Sequence, residues 1–172
     1  MTSRSPAVRS IGLAATIYAV ITAVLFRHAL PVLGTRLIGD LGDPLLNSSI
    51  LAWNARTLPL TDAWWNFPGY APLSGITAFT EHLLVTYPVA SPIIWITHNP
   101  VLAYNVLVVL SFPLNGLAMF ALARELTGSA IAGGVAGLAF AFSPFQAEHL
   151  AHLQMLMAWG MPTALFGAHR YL

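Results

Sequence analysis

Charge is what this chain most lacks. Of 172 residues, seven are Lys or Arg and six are Asp or Glu, so 8% are charged, against roughly 25% in an ordinary soluble domain. Hydrophobic residues make up 57% and the mean hydropathy is +0.72. Two classes are excluded at once. A disordered chain is poor in apolar residues and rich in charge. A soluble single domain of this length keeps a large surface that so few charges do not cover. Cysteine is absent, which removes a disulfide framework, a thiolate zinc site and a cysteine nucleophile. The basic residues are all arginine and lie scattered along the chain. Nucleic-acid binding needs a basic stripe, so no nucleic-acid partner is expected. There is no internal repeat and no low-complexity segment.

What is present instead is long uncharged runs. Residues 10–26, 82–123, 126–147 and 149–169 contain no Asp, Glu, Lys or Arg. A helix needs ~20 mostly apolar residues to cross a bilayer, so a lipid bilayer is the first expected partner. The expected fold is all-α: one membrane domain, 1–172, built as a polytopic transmembrane helical bundle. Spans are expected at about 11–33, 100–123, 130–144 and 154–172. Arg4 and Arg9 before Ile11 imitate a secretory signal. No small-residue cleavage site follows, because the run continues into Arg27-His28-Ala29-Leu30-Pro31, so it reads as an uncleaved anchor. Pro113 predicts a kink in its span. Gly133 and Gly137 form a G-x-x-x-G face, a candidate surface for a helix–helix partner. Gly133-Gly134-x-x-Gly137 is not a nucleotide loop, since no strand precedes it.

Between the first two spans the texture changes. Residues 34–99 are expected to form a large outer loop with juxtamembrane helices at 44–58 and 83–97. This stretch holds Asp40, Asp43, Asp62 and Glu81, four of the six acids, together with Trp53, Trp64, Trp65, Phe67 and Tyr70. Clustered aromatics in a polar stretch suit a loop at the membrane interface. Asp43 at an N-cap and Pro44 in the first turn predict a helix start, and Pro59 predicts its end. Residues 83–97 are short and carry Pro88 and Pro92, which favours a juxtamembrane or re-entrant helix over a crossing. By the positive-inside rule, Arg4 and Arg9 place the N-terminus in the cytoplasm and Arg124 places its loop on the same side. Residues 34–99 and 145–153 then lie outside.

That topology gathers the polar residues on one face. Asp40, Asp43, Asp62, Glu81 and His82 come from the large loop; Glu148, His149, His152 and Gln154 come from the second outer connection. Ionisable groups at a membrane are costly, so their gathering points to function. Asp40 and Asp43 beside glycine can accept a proton from a hydroxyl nucleophile or hold a divalent cation. Asp43 is equally readable as a helix cap, Asp40 as a solvated loop residue, and Glu81-His82 as a cap or interface pair. Glu148-His149-x-x-His152 puts carboxylate and imidazoles on neighbouring helical positions. It is not a zincin motif, because the order is E-H-x-x-H, and interfacial histidines explain it without a metal. Asn47-Ser48-Ser49 matches a glycosylation acceptor, a frequent three-residue pattern. His28, His98 and His169 read as ordinary interface residues. Mid-span polar groups that a transporter would need are limited to Asn105 and Asn115.

Several of these segments, in order, resemble the bacterial GT-C-type integral membrane glycosyltransferases. The run Gly42-Asp43-Pro44-Leu45-Leu46-Asn47-Ser48-Ser49-Ile50-Leu51-Ala52-Trp53 resembles their first outer loop. Phe79-Thr80-Glu81-His82-Leu83-Leu84, Asn99-Pro100-Val101-Leu102-Ala103-Tyr104-Asn105, Leu122-Ala123-Arg124-Glu125-Leu126-Thr127-Gly128, Ala139-Phe140-Ala141-Phe142-Ser143-Pro144 and His149-Leu150-Ala151-His152-Leu153-Gln154 continue the series. The resemblance implies an enzyme of the bacterial inner membrane. It would transfer a sugar from a polyprenyl-phosphate donor to an acceptor outside the cytoplasm. It implies catalytic roles for Asp43, Glu81 and His82, and substrate binding by Asp40, His149, His152 and Gln154. The cofactor is left open, with a divalent cation as one candidate, because histidines and a glutamine stand where an acidic pair is usual. Family members continue through many more spans, so the resemblance implies an N-terminal part of such an enzyme. The alternative is a non-catalytic membrane scaffold or an inactive truncated product.

Overall fold

The computed structural model describes residues 6–172; Arg4, used above for orientation, lies outside them. Every regular element among the described residues is helical. In chain order these are α1 (Pro6–Leu25), α2 (Asp43–Asn54), α3 (Asp62–Trp65), α4 (Tyr87–Thr97), α5 (Pro100–Thr127), α6 (Ala130–Ala141), α7 (Pro144–Glu148), α8 (Leu153–Leu156) and α9 (Gly160–Tyr171). Three stretches are long and apolar enough to cross a membrane: Val8–Leu25, Pro100–Thr127, and Ala130–Glu148 taken through the turn between α6 and α7. The chain is therefore all-α with three candidate membrane helices.

Helix ends follow from missing or diverted backbone partners. α1 stops at Leu25, short of the expected 33, and a 3-10 turn follows at Leu30–Val32. Pro31 has no N–H to give to the Arg27 carbonyl. α2 stops at Asn54 rather than 58. The Ala55 carbonyl would need the N–H of residue 59, which is proline, and it instead accepts a 2.6 Å hydrogen bond from Trp95 Nε1. α4 starts at Tyr87, four residues after the expected 83, behind a 3-10 turn at Leu84–Thr86. α5 begins as anticipated at Pro100, with Asn99 Oδ1 accepting from the Leu102 N–H at 2.9 Å. It runs on past Pro113 and past the expected end at 123 as one helix to Thr127, and Gly128, with a φ of 69°, follows it. The expected span 154–172 is broken into α8 and α9. Leu156's carbonyl is taken by Asn115 Nδ2 at 2.7 Å, and Pro162 has no N–H for Ala158. α9 has twelve residues, about 18 Å of helix.

The single expected domain resolves into two compact units. One, the membrane unit, comprises the chain up to Leu30, Val109–Leu150 and Met155–Leu172. In it α1 buries only a stripe, Ala14, Tyr18 and Thr22, while Leu13, Ile17, Val20 and Val24 stay exposed. The spacing of four keeps that stripe on one face. Tyr18 lies over Gly116 and Gly137, and its hydroxyl donates to the Gly134 carbonyl at 3.1 Å. A Cβ at Gly133 would come within 2.9 Å of the Phe120 carbonyl oxygen. The G-x-x-x-G face is thus used within the chain, against α1 and α5, and both glycines are buried.

The other unit comprises Pro31–Val108 and Ala151–Gln154. Its expected description as a loop is too loose, because it packs around its own core. α2 packs on α4, and Ile50, Leu51, Ala90 and Ile94 are buried. Trp64 is fully buried, edge-on to Tyr87 at 5.6 Å, and Tyr87 is edge-on to Trp95 at 6.1 Å. Thr77 Oγ1 donates to the Trp64 carbonyl at 2.9 Å. Asn105 on α5 staples the incoming chain: Oδ1 accepts from the Ile38 N–H at 2.9 Å, and Nδ2 donates to the Leu33 and Arg36 carbonyls, each at 2.7 Å. Asn105 and Asn115 are therefore structural fasteners rather than a polar pathway.

Candidate functional site

The site lies in the second unit, where the segment 151–154 meets two stretches of the large loop. Asp40 sits in a tight turn, Oδ1 accepting from the Gly42 N–H at 2.8 Å. Gly39 before it has a φ of 101°, and a Cβ there would stand 3.1 Å from the Pro44 side chain and 3.4 Å from the Ala151 backbone. Glycine is required both for that dihedral and for the close approach of segment 151.

Asp43 opens α2, but its side chain caps nothing. The expectation of an N-cap is corrected: the capping position is Gly42, and the Asp43 carboxylate turns to His152, with Oδ2 3.3 Å from Nε2. The two side chains are 47% and 43% exposed respectively, so a solute can reach them. Residues 152 and 154 flank Leu153, which is fully buried. That anchor fixes the backbone from which His152 and Gln154 project. Tyr104 Oη donates to the Ala151 carbonyl at 3.4 Å, tying the same segment to α5.

Glu81 is the second carboxylate. Oε1 accepts from Gln154 Nε2 at 3.0 Å and Oε2 accepts from Thr80 Oγ1 at 2.8 Å. His82 is held on three sides. Nδ1 accepts from the Leu84 N–H at 3.1 Å, its ring meets Trp65 edge-on at 6.1 Å, and its carbonyl accepts from Asn54 Nδ2 at 2.9 Å. With Nδ1 accepting, the neutral ring carries its proton on Nε2. Leu83, next in the chain, is buried with a φ of 48°. A left-handed leucine costs roughly 1–2 kcal/mol, and such strain persists only where the surroundings over-determine the backbone.

Of the expected site residues, the structure pairs Asp43 with His152 and Glu81 with Gln154. Asp40 is placed in the turn three residues before Asp43. His149 falls in the membrane unit, where its ring stacks on Phe145 at 4.1 Å and Nδ1 lies 2.8 Å from the Phe145 carbonyl oxygen. Glu148 also falls in that unit.

The burial of Asn47 was not expected. This residue lies one turn after Asp43 on the same face of α2, is 1% exposed, and neither amide atom meets a hydrogen-bonding partner among the described residues. A buried, unsatisfied amide is unusual and marks a place where polar contact is required. Its burial also ends the reading of Asn47 as a glycosylation acceptor. The i, i+4 spacing from Asp43 was the signal that could have found it.

In the same unit, a cleft of about 370 Å³ is lined by Gly42, Leu45, Leu46, Ser49, Phe67, Gly69 and Tyr70. It is at the small end of ligand pockets and mainly apolar, with a few polar groups. A Cβ at Gly69 would run into the Phe67 ring, so glycine there lets the aromatic wall close up. The donor set does not fit a resident metal: among the described residues no three of His, Cys, Asp and Glu come together. What the arrangement offers is a carboxylate base with an imidazole against it, and a second carboxylate oriented by an amide. No family model, curated protein or solved structure matches this chain.

Proposed function

We propose that this chain is the N-terminal part of an inner-membrane glycosyltransferase that uses a polyprenyl-phosphate-linked sugar, with its second unit on the extracytoplasmic side and its N-terminus in the cytoplasm. The observation that carries this reading is the half-exposed Asp43–His152 pair in the second unit. The ordered resemblance of the sequence supports it. In the transfer, the acceptor hydroxyl oxygen attacks the anomeric carbon and gives its proton to the Asp43 carboxylate. The bond from that carbon to the phosphate oxygen breaks, and its electron pair leaves with the lipid phosphate. His152 Nε2, 3.3 Å from the Asp43 carboxylate, orients it toward the acceptor hydroxyl. Glu81, held by Gln154 and Thr80, is placed to take a sugar hydroxyl, and His82 offers Nε2–H as a donor.

Asp43→Asn keeps shape and removes the base, and general-base loss costs about 10²–10⁴-fold in rate. The assay is sugar transfer from a polyprenyl-phosphate donor in membranes containing the full protein. Undiminished transfer removes Asp43 from the mechanism. The scaffold alternative is less well supported, since the glycine face it would use is already filled by α1 and α5.

A further inference from the structure

A second cleft, of about 460 Å³, lies in the membrane unit among α1, α5 and α9. Its composition differs from the first. Ile11, Phe120 and Ala121 line it with apolar surface, and Arg124, Arg170 and Glu125 line it with charge. Arg170 is the more exposed partner of a loose ion pair, Nε to Glu125 Oε1 at 3.7 Å. Its guanidinium also lies 5.7 Å over the Phe166 ring. An exposed pair at that distance is weak, so an incoming anion can displace Glu125. The ring keeps the guanidinium in place meanwhile. The turn at Gly128 adds no side chain to the cleft, and nothing lies within 4 Å of where a Cβ would stand.

We propose that this cleft seats the phosphodiester headgroup of an anionic phospholipid. Arg124 and Arg170 hold the phosphate, and the Ile11–Phe120–Ala121 wall takes the first carbons of the chains. Two guanidiniums beside an apolar wall, at the end of membrane-length helices, match a molecule that is anionic at one end and greasy at the other. The assignment rests on the membrane reading of α1 and α5 and is independent of sugar transfer.

The test is native mass spectrometry of the detergent-purified protein with phosphatidylglycerol, phosphatidylcholine or inorganic phosphate. Wild type is expected to retain phosphatidylglycerol over phosphatidylcholine. The double variant Arg124→Gln/Arg170→Gln is expected to lose about 30-fold of that binding, the weight of two arginines near an anionic surface. Ala121→Phe keeps both charges and narrows the apolar wall, and it is expected to weaken lipid but not phosphate. Equal retention of the two lipids, or undiminished binding by both variants, overturns the site. Displacement of the lipid by millimolar phosphate, with Ala121→Phe silent, overturns the lipid as the ligand and leaves a free phosphate.

Discussion

The two units of this chain bury their helices differently. In the membrane unit α1 hides little, while the helices after it bury Ser111, Asn115 and Gln146. α1 buries a narrow stripe against glycine backbone, and its larger residues stay outward. Lipid tails are as apolar as leucine, so nothing drives those side chains inward, and close approach at small residues holds the helices together. The second unit hides large and polar groups together: Trp64, Asn47, Asn54, Thr77 and Ser91 are all buried. There, Asn54 and Thr77 donate to the His82 and Trp64 carbonyls, and carboxylates are presented at the surface. The Asp43–His152 and Glu81–Gln154 pairs both occur in the second unit, although most of the membrane-length sequence lies in the first.

The comparison can be broken in order of effect. Trp64→Ala removes the centre of the second unit, and truncating a buried tryptophan costs about 3–5 kcal/mol. Limited proteolysis is expected to cut within residues 34–99 while α1 and α6 stay protected. Uniform cleavage of both units would show that they are not separately stabilised. Gly137→Ala works in the opposite direction, since a Cβ there meets the Tyr18 ring and the Gly116 carbonyl. Overpacking of this kind costs about 1–3 kcal/mol, read as a lowered melting point in detergent with the near-ultraviolet signal of Trp64 retained. Asn105→Leu deletes three hydrogen bonds to residues 33–38 and leaves their backbone groups unsatisfied, about 1–3 kcal/mol. Hydrogen exchange should speed up at Ile38, and unchanged exchange there would refute the staple. Gln154→Ala is the mildest, because its bond to Glu81 is exposed. A loss of about 0.5–1.5 kcal/mol is the ceiling, with any effect on transfer exceeding the effect on stability.

Much of the fold was legible in the sequence, for identifiable reasons. The uncharged runs located the first three membrane stretches and Asn99-Pro100 marked the start of α5, but the helix runs past its expected end at 123 to Thr127. The ends of α2 and α8 were less legible because partners distant in sequence decide them. Trp95 and Asn115 take carbonyls that a continuing helix would use. Aromatic clustering in residues 53–70 pointed to an interface, yet Trp64 is a core residue, and composition alone does not separate the two. In the site, the segments carrying Asp43, Glu81, His152 and Gln154 were named from sequence. Their pairing across more than seventy residues required the fold, as did the burial of Asn47.

The most direct measurement is a double-mutant cycle on sugar transfer with Asp43→Asn, His152→Gln and the pair, in membranes containing the full protein. If the two side chains act as one unit, the double variant should be no slower than Asp43→Asn alone, because the second change removes a partner already lost. Losses that multiply would contradict the pairing, and an Asp43→Asn enzyme as fast as wild type would contradict the catalytic role itself.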